Sequence, residues 1–232
     1  MRTGAIPGLS IWLLALLALA AFPACAAATE VRHEHFEAAG KGPPLVMISG
    51  AFGEGAYRAQ ARRMAARGYD VLLIDSRDLV DLEEEGLRAV IAHARASPHA
   101  LPGKVSMIGF SLGGGQLLAH AAGWPEDVGA IVIMYPATAG LGDPAALAAE
   151  MKVPVLFLTG VADRMGNCCT IEKAREIASA ALAARAPLSL VAYPGTGHDF
   201  VLEGTQGYNR RVATNAWSRT FAWLQRHFAR GH

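Results

Sequence analysis

Beyond residue 30, six short apolar or β-branched runs recur along the chain, each bounded by Gly, Pro or Asp: 44–49 (PLVMIS), 69–75 (YDVLLID), 104–110 (KVSMIGF), 130–136 (AIVIMYP), 153–159 (VPVLFLT) and 187–194 (PLSLVAYP). Their length and near-continuous hydrophobicity predict strands covered on both faces. Between them, segments near Ala56–Arg67, Glu83–Ala96, Gln116–Ala122, Ile171–Ala184 and Arg210–Phe228 place apolar residues at helical spacing. Strand alternating with helix predicts an α/β fold, a mostly parallel sheet with helices on both faces. The pattern shows no internal repeat, low-complexity linker or second-domain boundary, so residues 29–232 read as one domain.

The first 28 residues follow another pattern. Arg2 precedes the apolar run SIWLLALLALAAF (10–22), and the small residues of PACAAA follow, with Ala24-Cys25-Ala26 and Ala26-Ala27-Ala28 as cleavage sites. This is the layout of a bacterial-type secretory signal peptide, 1–28, and it predicts a periplasmic or secreted protein. Two other readings compete. A retained anchor would need about 20 apolar residues, more than the run supplies. A lipoprotein acylated at Cys25 agrees with Ala24 but not with Phe22 and Pro23.

Composition narrows the partners. Of 232 residues, 52% are hydrophobic and 18% charged, with a formal net charge of +1, which suits one substantial core. Basic residues form no stripe for a phosphate backbone and no polybasic segment for anionic lipid. No nucleic-acid partner and no stable membrane span after processing are expected.

The stretch MIGFSLGGGQ (107–116) carries the candidate chemistry. Gly109-Phe110-Ser111-Leu112-Gly113 fits G-x-S-x-G at a strand-to-helix turn, where flanking glycines admit the sharp bend that lifts a serine hydroxyl clear of the sheet. A serine that merely caps a helix is the plainer alternative. A serine nucleophile needs a base, and the base an orienting acid. Asp163, ending VPVLFLTGVAD, and His198, in YPGTGHDF, follow successive strands in the order Ser, Asp, His. Asp163 could instead form an Asx turn, and His198 could be an ordinary loop histidine. Asp143 comes too early to serve as the acid, and Asp199 adjoins the histidine. An oxyanion hole would use the N–H of Leu112 and that of Ala51 or Phe52 in the loop SGAFGEG (49–55). That loop could also be a plain glycine-rich turn; with no G-K-[ST] after it, it does not read as a phosphate cradle.

These features resemble the dienelactone hydrolase family of α/β-hydrolases. The resemblance lies in the order and spacing of Ser111, Asp163 and His198, the GFSLGGG elbow, the GTGHDF segment, and the ending YNRRVATNAWSRTFAWLQRHF with Tyr208, Ala213, Ala216, Trp217 and Thr220. It runs from about residue 44 onward and implies an α/β-hydrolase fold without a large cap domain. It also implies a hydrolase acting on small to medium carboxylic esters or thioesters, with no cofactor and no metal. Two departures stand out. The family's founding enzymes carry cysteine where this chain has Ser111, and their substrate-carboxylate glutamate and arginine have no clear match, although Glu54 and Arg77 lie in roughly suitable loops. A peptidase of the same fold and a non-catalytic binding protein are the alternatives.

Other features have plainer readings. His33 and His35 lack a third ligand nearby and read as solvent-facing. Trp217, Phe221 and Leu224 read as the buried face of the last helix, and DLEEE (81–85) as a helix start. Cys168 and Cys169 are adjacent, and Cα atoms about 3.8 Å apart fall below the usual disulfide range. Two reduced thiols shaping the pocket wall are therefore expected, with a vicinal or interchain disulfide as the alternatives.

Overall fold

The structure is a computed structural model that describes Met1 and residues 31–228; the expected signal peptide lies outside the described residues. Seven strands form one sheet: β1 (His33–Phe36), β2 (Pro44–Ile48), β3 (Asp70–Ile74), β4 (Val105–Phe110), β5 (Val128–Met134), β6 (Val155–Gly160) and β7 (Leu188–Tyr193). Their order is β1-β3-β2-β4-β5-β6-β7. β1 pairs antiparallel with β3, and every other pairing is parallel. The expected α/β architecture is what the chain adopts.

Alternation along the central strands divides the core in two. In β2 and β3, Val46, Ile48, Leu72 and Ile74 enter the cluster that includes Leu87 and Ile91 of α2 (Glu83–Ala96), Leu117 of α3 (Leu112–Ala119) and Ile177 of α5 (Ile171–Ala183). Leu45, Met47, Val71 and Leu73 face the other way. They join Ala61 and Met64 of α1 (Arg58–Ala65) and Trp217, Phe221 and Leu224 of α6 (Arg210–Phe228). A strand's side chains alternate between faces, so an apolar run without polar positions serves two helical layers at once.

Several boundaries differ from the sequence reading, each for a local reason. The helix expected from Gln116 begins at Leu112, because Gly113, Gly114 and Gly115 are helical despite glycine's poor propensity. β5 ends at Met134 and not at Pro136, since Tyr135 turns out of the strand with φ 41°. α4 (Pro144–Glu150) has no counterpart in the sequence reading; Asp143, set aside there as too early for the acid, is its N-cap and accepts from the Ala145 and Ala146 amides. His33 and His35 share edge strand β1, which is absent from the six apolar runs and is held by its pairing with β3. His35 is accordingly not simply solvent-facing: its Nε2 lies 2.7 Å from Oδ1 of buried Asp70. His33 Nδ1 bonds the Val31 carbonyl at 3.0 Å, and its ring lies 4.2 Å, centroid to centroid, from that of His93. His33 is thus half-buried against α2, whereas His35 remains exposed although it is bonded to Asp70. Among the described residues, no helix is long and apolar enough to cross a membrane.

Candidate active site

Parallel strands deliver their following loops to one edge of the sheet, and three of these loops converge at Ser111, Asp163 and His198. Ser111 follows β4 and precedes α3 with φ 47° and ψ −111°, a conformation that L-residues seldom adopt. The turn closes only because its neighbours are glycines. A Cβ on Gly109 would come within 2.6 Å of the Gly113 carbonyl oxygen, and one on Gly113 within 2.6 Å of both the Ile48 side chain and the Ser49 carbonyl oxygen. The Ser111 amide donates to Met134 O at 3.0 Å, and the Ser111 carbonyl accepts from Gly115 and Ala137 at 3.1 and 2.8 Å. The backbone that holds the hydroxyl is thus anchored on both sides.

Asp163 follows β6 and is fully buried; His198 follows β7. His198 Nδ1 lies 2.7 Å from Asp163 Oδ2, and its Nε2 lies 3.0 Å from Ser111 Oγ. An ionised carboxylate only accepts, so Nδ1 carries the proton and Nε2 is left to accept from the serine hydroxyl. Asp163 also accepts from the Met165 amide at 3.1 Å through Oδ1. The Asx-type turn weighed as an alternative for Asp163 therefore exists alongside the histidine bond, one carboxylate oxygen serving each.

The loop after β2 is tied to this turn, since the Gly113 amide donates to Ser49 O at 3.2 Å. The bond brings Ala51 and Phe52 to the same sheet edge as Leu112. Phe52 is 60% exposed. A pocket of about 890 Å³ opens over His198, with Phe52, Arg164, Met165, Thr196 and Tyr208 among its walls.

Two tyrosines near the site, Tyr135 and Tyr57, have no signal in the sequence, and Asp199, set aside there as the acid because it adjoins the histidine, lies close to the base. The Tyr135 ring lies 4.7 Å from the His198 ring, centroid to centroid. Burial pushes the Tyr135 hydroxyl and that of fully buried Tyr57 well above the usual range, so both remain neutral. Asp199, buried with φ 55°, holds Oδ1 3.9 Å from His198 Nε2. Burial raises its carboxyl above the ordinary range, the nearby His198 draws it down, and Asp163 adds to the rise. Ser111, Tyr135 and Asp199 are all non-glycine residues at positive φ, and such backbone clusters at functional sites. That clustering was the one signal available, and it appears only in coordinates.

Arg77 and Glu54 can be placed as well. Arg77 is bound to Asp75 through Nε and the terminal nitrogen, at 2.9 and 2.5 Å, so its charge is already engaged. The Arg77 bond holds the Asp75 carboxyl well below the usual carboxylate range against the upward push of burial, with a contribution from Glu54. A carboxyl depressed in the folded state stabilises above its ordinary value of 3.8, and that stability is lost as the pH falls through the folded-state value. Asp75→Asn is expected to lower the melting temperature at neutral pH, by an amount that shrinks below pH 3.8. Thermal unfolding followed across that range checks it, and a deficit independent of pH would refute the assignment.

The cysteines correct the sequence expectation: Cys168 and Cys169 form a disulfide across a Cα separation of 3.8 Å. The usual spacing describes bridges between separate segments. Here the two cysteines are neighbours in the chain, directly after the short turn Met165–Asn167. Asp163, Cys169 and His198 are also the one group among the described residues whose atoms could surround a metal ion, but a disulfide sulfur is not the thiolate that ligation requires.

Residues 74–228 match the model of the dienelactone hydrolase family. The chain belongs to that family. It is 31% identical over 147 residues to a Methylorubrum extorquens protein that carries the name carboxymethylenebutenolidase, a match covering 61% of this chain and 49% of that one. The chain spans about half the length of the curated relatives it matches. Among solved structures, a Klebsiella pneumoniae protein described as a dienelactone hydrolase superposes with TM-score 0.71 at 20% identity, over 85% of this chain and 99% of that one. Esterase 2 of Thermogutta terrifontis, solved phosphoramylated by tabun, gives 0.66 at 19% identity, over 85% and 90%. At such identities these likenesses speak for the fold. Membership of this family and the α/β-hydrolase architecture agree with the sequence reading.

Proposed function

We propose that this member of the dienelactone hydrolase family is a serine hydrolase that cleaves small to medium carboxylic esters or thioesters through an acyl-enzyme. The observation that carries the proposal is the hydrogen-bonded line from Asp163 Oδ2 through the His198 ring to Ser111 Oγ, at 2.7 and 3.0 Å. Ser111 Oγ attacks the acyl carbon while His198 Nε2 takes its proton. The oxyanion that forms is held by the N–H of Leu112 and that of Ala51 or Phe52. Collapse of the tetrahedral intermediate expels the leaving group, which receives the proton back from His198. Water, deprotonated by the same imidazole, then frees the acid. Asp163 keeps Nδ1–H directed away from the serine and stabilises the imidazolium. No step calls for a cofactor.

The pocket that opens over His198 leaves room for a substrate beside the base, and the names of the curated relative and of the structural neighbours are compatible with ester or lactone cleavage. The same reading places the protein in the periplasm or outside the cell. Its support is the signal-like stretch at 1–28 together with the Cys168–Cys169 disulfide, a bond that persists in oxidising compartments.

A panel of p-nitrophenyl esters of rising chain length, run beside a fluorophosphonate probe, tests the proposal. Turnover of the short and medium esters is expected, with one phosphonyl adduct located on Ser111 by peptide mass. A folded protein that neither turns over any ester nor accepts the probe would favour the binding-protein alternative.

A further inference from the structure

The loop joining β6 to α5 carries Asp163 at one end and the disulfide at the other. Cys169 is buried, and its Sγ, a carboxylate oxygen of Asp163 and a ring nitrogen of His198 all lie within 4.8 Å of one another. The inner sulfur thus lies against the acid–base pair. The chain between is one hydrogen-bonded unit: Asp163 Oδ1 accepts from the Met165 amide at 3.1 Å, and Met165 O accepts from the Cys168 amide at 2.9 Å. Cys168 O, in turn, accepts from the amides of Thr138 and Ala139 at 2.7 and 2.9 Å and from Thr138 Oγ1 at 3.3 Å, which pins the unit to the segment after β5. A displacement at residues 168–169 has a direct path to the carboxylate.

We propose that the Cys168–Cys169 disulfide is a positioning element for the Asp163–His198 pair, so that hydrolysis at this site depends on its oxidation state. The inference rests on the acyl-transfer reading of the site. A disulfide sulfur has no proton, so in the oxidised protein Cys169 offers Asp163 no donor that competes with His198 Nδ1–H. A two-electron reductant of the phosphine or dithiol class changes this. With a trialkylphosphine, phosphorus attacks one sulfur and the S–S bond breaks. Water then delivers its oxygen to phosphorus as the phosphine oxide, and its protons leave both cysteines as thiols. Cys169 now presents an S–H, a weak donor, beside the Asp163 carboxylate, and the 168–169 peptide is released from the ring that held it. Both changes loosen the hold of Asp163 on the imidazole. The other groups facing His198 are unchanged by reduction: Ser111 and Asp199 at Nε2, and the Tyr135 ring at its flank.

The experiment compares oxidised protein with protein reduced by tris(2-carboxyethyl)phosphine, the gain of two hydrogens being confirmed by mass and the fold by circular dichroism. Reduction is expected to lower the plateau of kcat/KM for p-nitrophenyl acetate by about 10- to 100-fold, the scale of a misplaced catalytic group. Cys168→Ala, which leaves the Cys169 thiol free, should reproduce the reduced profile and ignore the phosphine. The downfield proton resonance of the His198 Nδ1–H to Asp163 bond gives a readout without substrate, and it should weaken or move on reduction. An unchanged profile and an unchanged resonance in folded, fully reduced protein would overturn the proposal. If the oxidised protein shows no Ser111-dependent turnover, the acyl-transfer reading fails separately, and the resonance alone decides whether the disulfide positions the pair.

Discussion

Ser111→Ala lowers ester turnover by about 10³-fold or more, the loss expected when a member of such a triad is removed. The expectation follows from what the side chain does and does not touch. Oγ bonds His198 Nε2 at 3.0 Å, whereas the elbow itself is held by backbone bonds, from the Ser111 amide to Met134 and from the Gly115 and Ala137 amides to the Ser111 carbonyl. Alanine keeps those bonds and the Cβ, so the fold should be retained while the nucleophile is lost. Fluorophosphonate labelling must disappear together with turnover. A variant with parental kcat/KM and a parental circular dichroism spectrum would show that the acyl group is not carried by Ser111.

Asp163→Asn is expected to cost a comparable factor, about 10³- to 10⁴-fold in kcat, for a different reason. The substitution is nearly isosteric, and the Asn oxygen can still accept from the Met165 amide, so the loop should survive. At the Oδ2 position, 2.7 Å from Nδ1, an amide NH₂ replaces a carboxylate oxygen. A donor facing Nδ1 makes that nitrogen the acceptor and moves the imidazole proton to Nε2, which then points an N–H at Ser111 and cannot take its proton. The imidazolium also loses the charge that stabilises it. Turnover and the rate of fluorophosphonate labelling should therefore fall together while the melting temperature changes little. A loss under 10-fold would mean that Asp163 does not orient the base, and Asp199, on the opposite side of the ring at 3.9 Å, would be the carboxylate to examine next.

Much of this was legible in the chain because strand and helix periodicity are local properties. The boundaries of α2 and α6 fall where apolar spacing places them, at Glu83–Ala96 and Arg210–Phe228. The buried strands β2 to β6 announce themselves as largely apolar runs, because both of their faces are covered. The elements that escaped are those whose stability comes from neighbours. β1 reads HEHF and is held by its pairing with β3, and α4 is a short alanine-rich turn secured by its Asp143 cap and by contact with α5.

The sequence by itself determined the α/β class, the place of Ser111 between a buried strand and a helix, and the chain order of serine, acid and histidine. Each of these depends on residue type and near-neighbour spacing, which the chain carries openly. Only the tertiary structure decided that Tyr135 and Asp199 flank the base, that Arg77 is engaged by Asp75, and that the paired cysteines are joined beside the acid. Those outcomes depend on contacts between loops far apart in the chain, or on the path that one loop takes when its carbonyls and amides find partners across the sheet. Spacing along the chain holds no record of that path. The disulfide shows the difference most directly: a Cα separation of 3.8 Å is set by the peptide bond whatever the fold, whereas the bonds that hold the Cys168 carbonyl come from Thr138 and Ala139 in another loop.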